Sequence, residues 1–215
     1  MEDTSAAKKI LLTNGAALAW IAVIFQFYLI MVNRTASIPE TVIRFFSFFT
    51  ILSNIVVALC FTYLLLMPRS KWGKFFARAE TQAATALYIG VTGIIYNFIL
   101  RGLWKPQGLQ LVVDELLHSV VPVLFILYWL FFAPKKTLQW KSIFPWLIFP
   151  FVYCVYSLIR GAIAGFYPYP FIDVNLLGYG RVFLNIGGMI LVFLCMSLLL
   201  VSIAKLLNRN IDHIL

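Results

Sequence analysis

Residues Leu111 to Ala133 read LVVDELLHSVVPVLFILYWLFFA, and after His118 and Ser119 no charged or amide side chain follows until Lys135. At ~1.5 Å of rise per residue, a helix of this length crosses the roughly 30 Å hydrocarbon core of a bilayer. Its apolar residues run all the way round instead of along one stripe, so it is not a surface helix of a water-soluble globule. Five more runs read the same way: Ile10 to Val32, Val42 to Met67, Thr81 to Leu100, Ile143 to Ile159 and Tyr179 to Leu206. In lipid every backbone N–H and C=O must be satisfied within the segment, which makes each run a helix. The fifth, holding Pro145 and Pro150 between Lys141 and Arg160, is expected to kink. The expectation is an all-α, six-helix membrane bundle forming one domain over residues 1–215.

Composition agrees. The chain is 62% hydrophobic and 12% charged, too few polar side chains to cover a soluble surface of 215 residues. Its 20 Phe, 10 Tyr and 6 Trp suit helices bathed in lipid with aromatic rings at the headgroups. The net charge of +9 reads as membrane topology and not as a nucleic-acid surface, because the basic residues lie in short loops between apolar runs. Cys60, Cys154 and Cys195 sit singly inside apolar runs and read as packing residues. Lys8 and Lys9 precede a run too long for a cleaved signal peptide, so it is read as a retained first helix.

Alternating the loops between two sides places eleven of the seventeen Lys and Arg with the N-terminus and six with Arg34, Arg44 and Arg101. Cytoplasmic loops are enriched in these residues, which predicts both termini in the cytoplasm of a multi-pass protein of a bacterial inner (plasma) membrane. Small residues mark close helix approaches at Ala86 and Gly90, and at Gly187 and Gly188.

Sorting the intramembrane polar residues by depth gives the functional signal. Gln26, Ser47, Thr50, Ser53, Asn54, Tyr96, Asn97, Arg101, Asp114, Glu115, His118, Ser157, Arg160, Arg181 and Asn185 all fall toward the outer end of their helix, with Thr13, Asn14, Thr62, Ser197 and Ser202 as the exceptions. Unpaired polar groups cost several kcal/mol in hydrocarbon, so this polarisation predicts one shared polar cavity in the outer half and an apolar plug below it. On an unbroken second helix Ser47, Thr50 and Asn54 share a face. Thr50 then lies ~9 Å below Arg44 and His118 ~10 Å below Leu111, at one depth. Pro122 lacks the N–H that would bond the carbonyl of His118, so that carbonyl is left free.

Each residue also has a plainer reading. A membrane threonine commonly bonds its own i−4 carbonyl, here that of Phe46. His118, the one histidine inside a span, is either a satisfied core residue or a functional ionisable group. Asp114 and Glu115 are favoured by the helix dipole in any case, while Asp114 is also placed to orient His118. Arg101, Arg160 and Arg181 either snorkel to headgroups or hold a substrate carboxylate. The polar cavity assigns Ser47, Asn97 and Asn185 with them to substrate contact. The loop Tyr167 to Asp173 is either an aromatic belt or a lid. Serine-hydrolase elbows, zincin motifs, metal-spaced Cys and His clusters and P-loops are all missing from the sequence.

The runs RFFSFFTILSN (Arg44 to Asn54), LHSVVP (Leu117 to Pro122) and WLFFAPK (Trp129 to Lys135), together with the Tyr167 to Asp173 loop, resemble the androgen-induced protein family and its bacterial six-helix relatives. The likeness extends from about Arg44 to Asp173. Animal members are threonine hydrolases that cleave fatty acid esters of hydroxy fatty acids. The resemblance implies Thr50 as nucleophile and His118 as base, with a fatty acyl ester among membrane lipids as substrate and no cofactor or metal. The spacing of 68 residues between the pair is shorter than in the animal proteins. Depth sorting and resemblance select the same two residues. Asn54, one turn beyond Thr50, is the expected oxyanion donor. The alternative from another class is a lipid or small-molecule carrier with the same cavity.

Overall fold

Six helices long and apolar enough to cross a bilayer make the body of the molecule: Ala6–Val32, Phe49–Leu66, Ala79–Leu100, Leu109–Phe132, Trp140–Ala164 and Val174–Asn208. The computed structural model describes residues 2–103 and 105–212, and no strand occurs among them. His213 lies outside the described residues. In chain order the helices are α1 (Glu2–Val32), α2 (Ile38–Phe46), α3 (Phe49–Leu66), α4 (Lys71–Phe76), α5 (Ala79–Ile95), α6 (Leu109–Glu115), α7 (Val121–Phe132), α8 (Ile143–Ala164) and α9 (Val174–Asp212). Two wider π turns interrupt the third and fourth spans, Tyr96–Leu100 after α5 and Leu116–Val120 between α6 and α7.

The second predicted helix is corrected. It is two helices, broken at Ser47 and Phe48, so Ser47 and Thr50 do not share one helical face. Neither glycine nor proline causes the break. Two tyrosines of α8 hold it: the Tyr153 hydroxyl donates to the Ser47 carbonyl at 2.8 Å, and the Tyr156 hydroxyl lies 2.9 Å from Ser47 Oγ. Phe48 is extended (φ −85°, ψ 125°), which turns the chain into α3.

Prolines that remove a helical N–H leave a carbonyl to be satisfied from another helix. The Trp146 carbonyl, opposite Pro150, accepts from Tyr88 Oη at 2.8 Å, and α8 runs on through the proline to Ala164, past its expected end at Ile159. The His118 carbonyl, freed by Pro122, accepts from Asn97 Nδ2 at 3.1 Å. The sixth span also starts earlier than expected, with a break at Gly178 (φ 72°) just before Tyr179.

Between helices in lipid the gain comes from close packing and not from exclusion of water. Ala16 and Ala19 of α1 are buried in one cluster with Val57, Ala58 and Phe61 of α3, and α5 buries Ala86 and brings Gly90 against Ile126 and Met196. Gly187 and Gly188 are corrected: nothing lies within 4 Å of where a Cβ would stand, so they make no close approach within this chain. Phe144, Phe151 and Leu184 are 74%, 68% and 64% exposed, as lipid-facing side chains of α8 and α9.

The loops gather at two ends. Residues of 33–36, 105–107 and 166–170 line one cavity. At the other end Thr137 donates to Glu80, Asn208 to the Lys135 carbonyl, and the Lys205 ammonium lies 5.6 Å from the Trp140 ring centroid. Between the ends Val57, Cys60, Phe61, Val121, Phe125, Tyr128 and Trp129 are at most 1% exposed, a dry layer beneath the cavity.

Candidate functional site

The cavity, about 830 Å³, is walled by α1, α2, the start of α3, α6, and the loops after the third and fifth spans. Thr50, Tyr96, Asp114, His118 and Tyr169 reach it together.

Thr50 stands in the first turn of α3, 8% exposed. The break at Ser47 and Phe48 takes away the i−4 carbonyl that a threonine in an unbroken helix would bond. Its Oγ1 instead lies 3.3 Å from His118 Nε2 and 3.2 Å from Tyr169 Oη. Its N–H donates to Tyr169 Oη at 3.1 Å.

His118 sits within the π turn Leu116–Val120, a wider turn of the kind found often at functional sites. Its Nδ1 is 2.9 Å from the Asp114 carbonyl. A carbonyl only accepts, so Nδ1 carries the proton and Nε2 offers a lone pair to Thr50. The imidazole stacks on Tyr96 with centroids 3.9 Å apart and planes inclined by 14°. Tyr96, from the facing π turn, donates its hydroxyl to Asp114 Oδ2. Every donor in the series from Thr50 through His118 to Asp114 therefore has an acceptor.

The expected role of Asp114 changes in detail. Its main-chain carbonyl holds the ring, while its carboxylate, 3.6 Å from Nδ1, is engaged by Tyr96. Asn54 is corrected more strongly. Its Nδ2 donates to the Thr50 carbonyl at 2.8 Å and to the Leu117 carbonyl at 3.1 Å, which uses both amide hydrogens. It ties the helix of Thr50 to the turn of His118 and has no hydrogen left for an oxyanion.

The six residues assigned to substrate contact lie outside the cavity wall. Ser47 serves the helix break. Asn97 and Arg101 form a cluster with Glu115 and Ser119, in which Arg101 Nη2 donates to Glu115 Oε2 at 2.8 Å. Arg160 donates to Glu40 Oε1 at 2.7 Å, and Arg44 donates to the same oxygen at 2.8 Å. These hydrogen bonds, that of Arg44 first, hold the Glu40 carboxyl below the usual carboxylate range. Arg181 is exposed, and Asn185 Nδ2 donates to the Phe171 carbonyl at 2.8 Å, bracing the loop of Tyr169.

The cations that do line the cavity are Arg34, Arg44 and Lys105. Sequence reasoning set these aside as topological charge. It also missed Tyr96 and Tyr169 as neighbours of the pair. A signal existed for Tyr169, inside the aromatic loop read as belt or lid, but none gave its target. Among the described residues no three His, Cys, Asp or Glu side chains are grouped to hold a metal ion.

No protein-family model, curated protein or solved structure matches the chain.

Proposed function

We propose that this integral membrane protein is a lipid ester hydrolase, with Thr50 as nucleophile and His118 as general base. The observation that carries the reading is the 3.3 Å approach of Thr50 Oγ1 to His118 Nε2 at the floor of a cavity above a dry helical layer. A threonine hydroxyl is a weak nucleophile until a neighbouring base takes its proton, and His118 offers its lone pair in the required tautomer.

In the first half-reaction, Nε2 takes the hydroxyl proton as Oγ1 bonds to the ester carbonyl carbon. The tetrahedral centre collapses, the C–O bond to the alcohol breaks, and the imidazolium returns its proton to the departing alkoxide oxygen. Water then attacks the acyl-threonine with its proton going to Nε2. Collapse restores the Thr50 hydroxyl and releases the carboxylic acid. The fatty acyl ester as substrate rests on the resemblance to the androgen-induced protein family.

A fluorophosphonate ester probe tests this reading directly. It is expected to leave a phosphonyl adduct on Thr50, found by peptide mass spectrometry, and none on a folded His118→Ala protein. A folded wild-type protein that stays unmodified, or that is modified elsewhere, would count for a lipid carrier.

The same reading sets the cavity toward the outer leaflet and both termini in the cytoplasm, supported by the eleven-to-six division of Lys and Arg. Single cysteines at Arg34 or Lys105, on a background lacking the native three, should react with an impermeant maleimide in intact cells. A cysteine at Lys71 or Lys136 should not, and outside labelling of either would reverse the orientation.

A further inference from the structure

We infer that Tyr169 is a catalytic residue of this site, its hydroxyl, held in place by the Thr50 N–H, serving as the oxyanion donor. The inference rests on the threonine hydrolase reading and adds to it the one component that the pair lacks. Three observations converge on it.

The first is position. Tyr169 Oη is 3.2 Å from Thr50 Oγ1 and 3.1 Å from Thr50 N. When Oγ1 bonds to an ester carbon, the former carbonyl oxygen shares that carbon with it. The oxyanion therefore develops within reach of any donor already beside Oγ1. Thr50 stands in the first turn of the 18-residue α3, where the positive end of the helix dipole favours an anion.

The second is direction. Thr50 N–H donates to Tyr169 Oη, and the Thr50 hydroxyl has the His118 Nε2 lone pair as acceptor. The Tyr169 hydrogen is thus left pointing at Thr50 Oγ1. An arriving carbonyl oxygen takes over this hydrogen by rotation about the phenol C–O bond, while the Thr50 N–H stays on Tyr169 Oη and fixes that oxygen in place. Burial holds the Tyr169 phenol above its ordinary pKa, so the group remains a neutral donor throughout the neutral range.

The third is rigidity. An oxyanion donor is effective when it is held in place before the charge appears. The Tyr169 ring stacks on Phe171 at 5.2 Å between centroids and meets Phe48 edge-on at 5.9 Å. Asn185 holds the Phe171 carbonyl, and the Tyr167 ring lies over Gly161. The aromatic loop is therefore a strap that delivers one hydroxyl to the nucleophile.

The test compares wild type, Tyr169→Phe and Thr50→Ala on p-nitrophenyl hexanoate in detergent micelles. Tyr169→Phe keeps the ring and its stacking, and is expected to lower kcat by ~10²- to 10³-fold with KM within about threefold. Thr50→Ala is expected to be inactive. A Tyr169→Phe protein within twofold of wild-type kcat beside an inactive Thr50→Ala overturns the oxyanion assignment and leaves the hydrolase reading standing. An active Thr50→Ala removes both.

Should Tyr169→Phe fail to fold, 3-fluorotyrosine placed at 169 retains ring and hydroxyl and lowers the phenol pKa. Its alkaline limb of kcat is expected to begin at lower pH than that of wild type, because the ionised phenolate has no hydrogen to donate and repels the oxyanion. An unmoved limb overturns the assignment.

Discussion

Thr50→Ala and His118→Ala are each expected to reduce ester hydrolysis by ~10⁴-fold or more, and the double variant is expected to be worse by no more than a few-fold. The reason is geometric. Oγ1 and Nε2 face each other at 3.3 Å, and each is the sole route by which the other takes part in the reaction. Without the hydroxyl the imidazole has no nucleophile to deprotonate; without the imidazole the hydroxyl stays protonated in a dry site. Thr50→Ser retains the attacking oxygen but loses the methyl that restricts its rotamer, so it is expected to keep part of the activity. The measurement is single-turnover hydrolysis by purified protein, with a thermal melt in detergent as the folding control. Hydrolysis by Thr50→Ala at a tenth of the wild-type rate or better would exclude the mechanism and leave the bundle as described.

Gly161→Val is expected to lower activity by ~10²-fold or more without changing any residue of the cavity wall. The Tyr167 ring occupies the space where a side chain on Gly161 would begin, so the ring must leave when one is added. Tyr167 is two residues from Tyr169, and its displacement pulls the strap away from Thr50. The helix itself tolerates valine, and overpacking of this kind costs ~1–3 kcal/mol, so a folded but nearly inactive protein is the expected result. Fluorophosphonate labelling of Thr50 should slow in parallel with hydrolysis. Wild-type rates in a folded Gly161→Val protein would show that the strap has no part in the chemistry.

The helical class and the six spans were legible in the sequence because the bilayer imposes one rule on every segment. Backbone groups must be bonded internally and side chains must be apolar over ~20 residues. The same rule made the polar residues informative. An imidazole at position 118 and a run of hydroxyls and amides near the same depth are costly in hydrocarbon and so stand out against it. The consequence of Pro122 was legible too, since the missing N–H is a covalent fact; what lay beyond the sequence was that Asn97 would take the freed carbonyl.

What only the tertiary structure decided is the environment of each polar group, because partners come from helices distant in the chain. The break at Ser47 and Phe48 is the clearest case. Nothing local interrupts RFFSFFT, and the two hydroxyls that hold the break belong to Tyr153 and Tyr156, more than a hundred residues away. That break is what frees Thr50 from its own helix and turns its side chain and N–H to the cavity. Asn54 looked like a donor from its spacing, yet two carbonyls compete for its hydrogens and win them. Arg101 and Arg160 looked like substrate anchors, but each is already paired with a carboxylate of the chain, Glu115 and Glu40. Burial and length, which act on each segment alone, are written in the order of residues; the pairing of one polar atom with another depends on which segments meet, and packing settled that.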